Sequence, residues 1–132
     1  SYYNRIEVVL PSETIDWKGV HKVYIWSYNY SSLVATIENA TRNEVEKVFP
    51  DIEMICDGDL TDDYIKQLKK LPAALPGARV TLYVYDNLIG LKQCVSPDET
   101  SVSYEYDECN RLKKIKDHSG NVLTQYQYGY KQ

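Results

Sequence analysis

The stretch Tyr104-Glu105-Tyr106-Asp107-Glu108-Cys109-Asn110-Arg111-Leu112-Lys113-Lys114-Ile115-Lys116-Asp117-His118-Ser119-Gly120-Asn121 decides the fold. Tyr104 and Tyr106 alternate with Glu105, the period of a half-buried strand with one aromatic and one polar face. Asp117 to Asn121 reads as a hairpin turn, with Gly120 in the positive-φ position of a type I turn and G1 bulge. Leu112 and Ile115 have opposite parity, so their arm needs a bulge or a strong twist to bury both.

The same unit recurs on either side. Tyr83-Val84-Tyr85-Asp86 stands 21 residues before it, and Tyr126-Gln127-Tyr128 stands 22 residues after Tyr104. Asp86 is followed five positions on by Leu91, as Asp107 is by Leu112. Each unit is one hairpin with a Tyr-x-Tyr arm and a leucine arm. A lone hairpin is marginal in water, so such units must stack side by side. The residues that carry the repeat are Tyr83, Tyr85, Asp86, Tyr104, Tyr106, Asp107, Arg111, Leu112, Asp117, Gly120, Tyr126 and Tyr128.

The first half of the chain reads differently. Arg5 to Leu10 forms a short strand before Pro11, and Ile15 to Gly19 a loop. Lys22 to Tyr30 alternates Val23 and Ile25 against Tyr24, Trp26, Tyr28 and Tyr30, and Leu33 to Ile37 pairs with it. Thr41 and Glu44 fit a capping box, followed by Val45, Val48 and Phe49 on one helical face until Pro50. A second helix starts at Thr61, with Asp62 and Asp63 well placed against its dipole, and Pro72 ends it. Arg79 to Tyr85 is a strand with two apolar faces. The fold class is α+β: an antiparallel β-sheet of hairpins with two short helices packed on one face. Residues 1–77 form the strand-helix-helix region and residues 78–132 the hairpins, as one continuous domain. The expected core is Val23, Ile25, Trp26, Val45, Phe49, Ile65, Leu68, Val80, Leu82, Val84, Leu112 and Leu123.

Composition narrows the function classes. The chain has 132 residues and a net charge of −4, with no Lys/Arg block, which argues against a nucleic-acid partner. The longest uncharged stretch, Val23 to Ile37, is too polar to span a bilayer, so no transmembrane segment is expected. Thirteen tyrosines stand against one phenylalanine. A ring with a hydroxyl belongs at wet boundaries, on half-covered sheet faces or at protein contacts. Cys56, Cys94 and Cys109 are an odd number without paired spacing, which points to free thiols rather than a disulfide framework. No signal peptide is visible at Ser1 to Asn4.

The segment from Tyr104 to Asn121 resembles the YD repeat of RHS and teneurin-like proteins, whose pattern is YxYDxxGRLxxxxDxxGN. Asn110 stands where the family has Gly, and Asn also tolerates the left-handed conformation. Tyr83 to Asp98 is a degenerate copy. Tyr24 to Asn29, Ile37 to Thr41 and Leu75 to Ala78 resemble the segment before the last repeats of RHS-like exported proteins of Bacteroides-type bacteria. The resemblance implies a wound β-sheet shell in an extracellular or cell-surface protein, with this chain as its C-terminal segment. It also implies a structural role without catalysis, in which the segment caps or closes the shell, and a partner in the remainder of its parent chain. Family members with a toxin payload often carry a self-cleaving DPxG-type motif; Ser96-Pro97-Asp98-Glu99 does not match it, and the chain stops after a Tyr-x-Tyr strand, so neither self-cleavage nor a payload is expected. If the chain is a piece of a longer sheet, the edge of its first strand is raw and would pair with a second copy to give a homodimer.

Other chemistry is weighed on the residues themselves. A nucleophile site needs Cys or Ser with His and an acid, and the histidines are His21 and His118. Cys109 and His118 share one hairpin, but turn residues explain both. Asp57-Gly58-Asp59 with Asp62 and Asp63 offers carboxylates for calcium without the EF-hand spacing, and helix capping accounts for the same residues. No cofactor or metal is expected. The Asn29 and Asn39 sequons are read as chance matches, and Asn39 with Thr41 already serves at a helix start. Trp17, Trp26 and Tyr28 are the candidates for stacking on a glycan or partner, against a reading in which the aromatic rings brace neighbouring strands in ladders.

Overall fold

A computed structural model describes residues 10–28, 31–86, 89–98 and 100–129, with the Asp57 side chain outside that description. Among the described residues, eight strands form one antiparallel sheet in chain order: β1 (Glu13–Ile15), β2 (His21–Ser27), β3 (Ser32–Glu38), β4 (Arg79–Asp86), β5 (Gly90–Val95), β6 (Ser101–Tyr106), β7 (Leu112–Asp117) and β8 (Val122–Gln125). Every strand pairs with its neighbour in sequence, so the sheet is a meander that needs no crossover. Its two outer strands differ. β1 has three residues, a length that blunts an edge, whereas every residue of β8 is exposed.

Four short helices interrupt the meander between β3 and β4: α1 (Arg42–Val48), α2 (Ile52–Asp57), α3 (Asp62–Lys69) and α4 (Leu71–Ala74). The capping box forms as read. The Glu44 N–H donates to Thr41 Oγ1 at 3.2 Å, and the Thr41 N–H donates back to Glu44 Oε1 at 3.3 Å. Thr61 caps α3 by accepting from the Tyr64 N–H. The excursion closes on itself in register, because Glu38 pairs with Arg79. Asn39, at φ 65°, turns the chain out of the sheet, and its side-chain Nδ2 donates to the Gly77 carbonyl at 2.9 Å, tying the two ends of the insert together.

The core follows from the pairings. Val23 faces Ile37 and Ile25 faces Ala35 across β2–β3; Ala35 faces Leu82 and Ile37 faces Val80 across β3–β4. Directly opposed residues share a face, so these six form one apolar patch. It joins Val45, Phe49, Ile52, Ile55, Leu60, Leu68 and Leu71 of the helical insert in one buried cluster. α2 packs against β2, and α3 and α4 pack against β4. Each such aliphatic side chain gains roughly 1.5–3 kcal/mol by leaving water.

Several sequence expectations change. A helix over Ile52–Asp57 was not foreseen, although Ile52, Ile55 and Cys56 are all buried at helical spacing. The helix from Thr61 ends at Lys69, ahead of Pro72 as read, and Pro72 itself sits at the start of a further short helix, α4, where its missing N–H costs nothing. The strand buried on consecutive residues is β3, through Val34 to Ile37, rather than β2 or β4. Of the expected core, Trp26, Ile65, Val84 and Leu112 are half-buried, and Leu123 is 57% exposed. Ile15 belongs to β1 rather than to a loop. The strand expected at Tyr126-Gln127-Tyr128 is displaced to Val122–Gln125, although the Tyr126 N–H still donates to the Lys113 carbonyl. The strand expected from Arg5 lies outside the described residues up to Val9, as do Asn29, Tyr30 and Tyr130.

Candidate functional site

The repeat's tyrosines are tied to the backbone of the preceding strand. Tyr85 Oη donates to the Leu33 carbonyl at 2.9 Å, Tyr106 Oη to the Leu91 carbonyl at 2.6 Å, and Tyr128 Oη to the Leu112 carbonyl at 2.6 Å. In each case the second tyrosine of a Tyr-x-Tyr arm reaches back to a leucine of the strand before it. Trp26 holds the corresponding place in β2, and its Nε1–H donates to the Pro11 carbonyl at 2.8 Å. A register shift marks the pairing next to each of Trp26, Tyr85 and Tyr106. Such a bulge re-aims a side chain along the sheet. The expected bulge in the arm of Leu112 and Ile115 is present at Lys113, opposite Glu105/Tyr106, whereas the irregularity at Ile115/Lys116 places its extra residue, Leu123, in β8.

These tyrosines therefore brace neighbouring arms through hydroxyl-to-carbonyl bonds rather than through ring on ring. Among the described residues the aromatic ring pair is Phe49 with Tyr64, edge to face at 6.4 Å, where α3 meets the core. Tyr128 gains a second contact from the Arg111 guanidinium, 4.2 Å over its ring. Arg111 Nε also donates to Asp107 Oδ2 at 2.9 Å, which orients the guanidinium. Burial raises the pKa values of Tyr28, Tyr85 and Tyr104, so these phenols stay protonated and able to donate.

The aspartates build the turns. Asp117 Oδ1 accepts from the N–H groups of Ser119 (3.0 Å) and Asn121 (2.8 Å), with Gly120 at φ 88°. Asp107 Oδ1 accepts from those of Cys109 (2.8 Å) and Arg111 (3.0 Å), with Asn110 at φ 60°, so Asn serves where the pattern has Gly. A third copy was not foreseen: Asp16 Oδ1 accepts from Lys18 (2.8 Å) and Val20 (3.0 Å), with Gly19 at φ 84°. The spacing of Asp16 to Gly19 equals that of Asp117 to Gly120 and could have revealed it. Hydrogen bonds from the backbone of Arg111 and of Asn121 hold the carboxyls of Asp107 and Asp117 below the usual carboxylate range. Asp86 also closes a turn, with its carbonyl accepting from Ile89 and Gly90 at φ 136° opposite it.

The three aromatic candidates are not brought together. Trp17 is 89% exposed at the β1–β2 turn, with Lys18 Nζ 5.1 Å from its ring. Trp26 and Tyr28 lie at the opposite end of β2, and Trp26 is committed to Pro11. Tyr28 stands at φ 54°, held by its N–H to the Gly58 carbonyl at 2.8 Å, and lines an open groove of about 500 Å³ with Ser31, Ser32, Asp59, Tyr85 and Asp86.

The remaining chemistry stays dispersed. Cys109 lies in the β6–β7 turn and His118 in the β7–β8 turn, at opposite ends of β7, a strand of six residues that keeps them about 20 Å apart. His21 Nδ1 lies 3.0 Å from Glu13 Oε2, which also accepts from the Arg42 N–H; the His21 contact, more than Arg42, lowers the Glu13 pKa. Burial pushes the Cys94 thiol up. Of the aspartates weighed for calcium, Asp62 and Asp63 fall in the first turn of α3, and the Asp57 side chain lies outside the described structure. No helix among the described residues is long and apolar enough to cross a membrane. Comparison with models of known protein families and with curated proteins found no match.

Proposed function

We propose that this chain is a structural segment of a larger exported repeat protein of the RHS/YD type, closing or capping a β-sheet shell without catalysis of its own. The observation that carries the reading is the recurrent bond from Tyr85, Tyr106 and Tyr128 to the leucine carbonyl of the strand before. Hydroxyls spent on neighbouring backbone make a sheet that adds unit upon unit, and they leave few groups to orient a substrate. On this reading the helices form one layer on the core face of β2 to β4, the blunt β1 end is the cap, and the protein works at the cell surface or outside the cell.

The full reading frame tests the proposal. Further Tyr-x-Tyr-Asp units at intervals of about 20–22 residues next to this segment are the expected result. A frame without any such unit overturns it.

One observation favours a second reading, a surface module that binds glycan or protein. Trp17 is almost fully exposed on a turn made rigid by Asp16. Tryptophan emission that shifts with a glycan in the wild type, and not in Trp17→Phe, would select this reading over the scaffold.

A further inference from the structure

The apolar row on the core face of the sheet runs on past the helical layer. Leu82 of β4 opposes Val95 of β5, and Val95 opposes Ser101 of β6, so the three share that face. Gln93, two residues from Val95 along β5, stands on it as well. α3 and α4 pack against β4, and Lys69 at the end of α3 with Pro72 of α4 forms the lip of the layer. Between the lip and the row lies a cavity of about 270 Å³, lined by Lys69, Pro72, Leu82, Gln93, Val95 and Ser101.

The cavity has an apolar floor and a polar, basic rim. Leu82 is buried, and Val95 and Pro72 are half-buried. Gln93 and Ser101 are half-buried too, and their side chains make no hydrogen bond among the described residues. Lys66 and Lys69 in the last turn of α3, and Lys70 at its cap, are exposed and form no ion pair among the described residues, although the whole chain carries a net charge of −4. The helix dipole accounts for lysines in a last turn. It does not account for an apolar notch directly beneath them. Sites for small molecules usually hold roughly 300–1,000 Å³. This one is smaller, and its size suits a single apolar side chain delivered by a larger partner.

We propose that this notch docks an acidic peptide segment of a partner protein, which seats one leucine or phenylalanine side chain against Leu82, Val95 and Pro72 and lays its carboxylates along Lys66, Lys69 and Lys70. The floor supplies the affinity by taking an apolar side chain out of water. Gln93 and Ser101 are free to bond the peptide backbone at the rim. The lysines select an acidic partner over a basic one and speed its approach. The site uses no tyrosine bond of the repeat and no residue of the Trp17 turn, so it goes beyond both readings of function above.

Fluorescent nonapeptides test the assignment, titrated into the full chain and followed by anisotropy. Three carry a central leucine, phenylalanine or alanine flanked by aspartate and glutamate, and a fourth carries leucine flanked by lysine. Saturable binding of the acidic leucine or phenylalanine peptide is expected, about tenfold or more tighter than that of the alanine peptide. The lysine-flanked peptide should not bind. Lys69→Glu, a change at an exposed position, should weaken binding by about threefold or more, as should added salt. Amide chemical shifts of the wild-type chain supply a measurement that needs no variant, and those of Gln93, Val95 and Ser101 should move on titration. The proposal is overturned if neither acidic peptide binds, if the alanine or lysine-flanked peptide binds as tightly, if Lys69→Glu changes nothing, or if the shifts move elsewhere on the sheet. The reading frame tests the scaffold separately, so a chain flanked by repeats that still takes no peptide refutes only the notch.

Discussion

The hydroxyl of Tyr106 donates to the carbonyl oxygen of Leu91 across the β5–β6 boundary, at 2.6 Å. Leu91 lies on the strand before, 15 positions earlier in the chain, so this single bond fixes one repeat against the next. Tyr106→Phe keeps the ring and removes the donor, leaving a partly buried carbonyl with one partner fewer. A net hydrogen bond of this kind contributes about 1 kcal/mol. Urea unfolding should show a loss of roughly that size. Tyr104→Phe, at a hydroxyl with no hydrogen bond among the described residues, should change stability by less than about 0.5 kcal/mol. Equal losses in the two variants would mean that the hydroxyl bond does not hold the repeat.

The turns test the backbone. Gly120 sits at φ 88°, and an added Cβ would meet no neighbouring atom, so the effect of Gly120→Ala is conformational alone. That substitution should cost about 1 kcal/mol or more in thermal or urea unfolding. Asn110 stands at φ 60° in the equivalent place, already tolerant of that region. Asn110→Gly should therefore be close to neutral, while Asn110→Val, branched at Cβ, should be clearly destabilising. A Gly120→Ala protein as stable as wild type would refute the turn assignment.

Much of the sheet was legible because its signals are local. Tyr-x-Tyr alternation, the Asp-to-Gly spacing and the capping box of Thr41 and Glu44 all act within a few residues of chain. Helix α2 was hidden because Pro50 and Gly58 bracket only six helical residues, whose burial depends on β2. The tyrosine bonds were misjudged as ring ladders, since a sequence shows the period of the rings and not which end of each finds a partner. Leu123 looked like a core residue by its type. It is exposed because, among the described residues, nothing pairs with the outer edge of β8, and α2, α3 and α4 pack elsewhere, against β2 and β4.

Acid should loosen the turns before it reaches the core. Asp107 and Asp117 have pKa values below the ordinary 3.8 in the folded chain, chiefly because each accepts backbone N–H bonds. A folded pKa below the unfolded one gives a contribution fully present above 3.8 and lost as pH falls through the lower folded value. Melting temperature measured from pH 6 down to pH 2.5 should fall in that window (roughly 3.8 and below). The double variant Asp107→Asn, Asp117→Asn should start lower at pH 6 and fall less steeply. Parallel curves for wild type and variant would show that these carboxylates do not carry the acid response.

Stability should be unequal along the sheet. The fully buried hydrophobic residues of the described structure run from Val23 to Leu82, so β2, β3, β4 and the helices hold the core. β5 to β8 contribute half-buried and exposed residues, held by ladder bonds, turn carboxylates and the tyrosine hydroxyls. Segments with few buried apolar contacts open locally at lower free energy than the whole molecule. Native-state hydrogen exchange should then show amides of β6 to β8 opening at least about tenfold more readily than those of β2 to β4. Ile55→Ala, a change at a fully buried site, should cost about 2–5 kcal/mol and accelerate exchange in β2 to β4. Uniform protection across all eight strands would show instead that the hairpins and the helix-bearing region unfold as one cooperative unit.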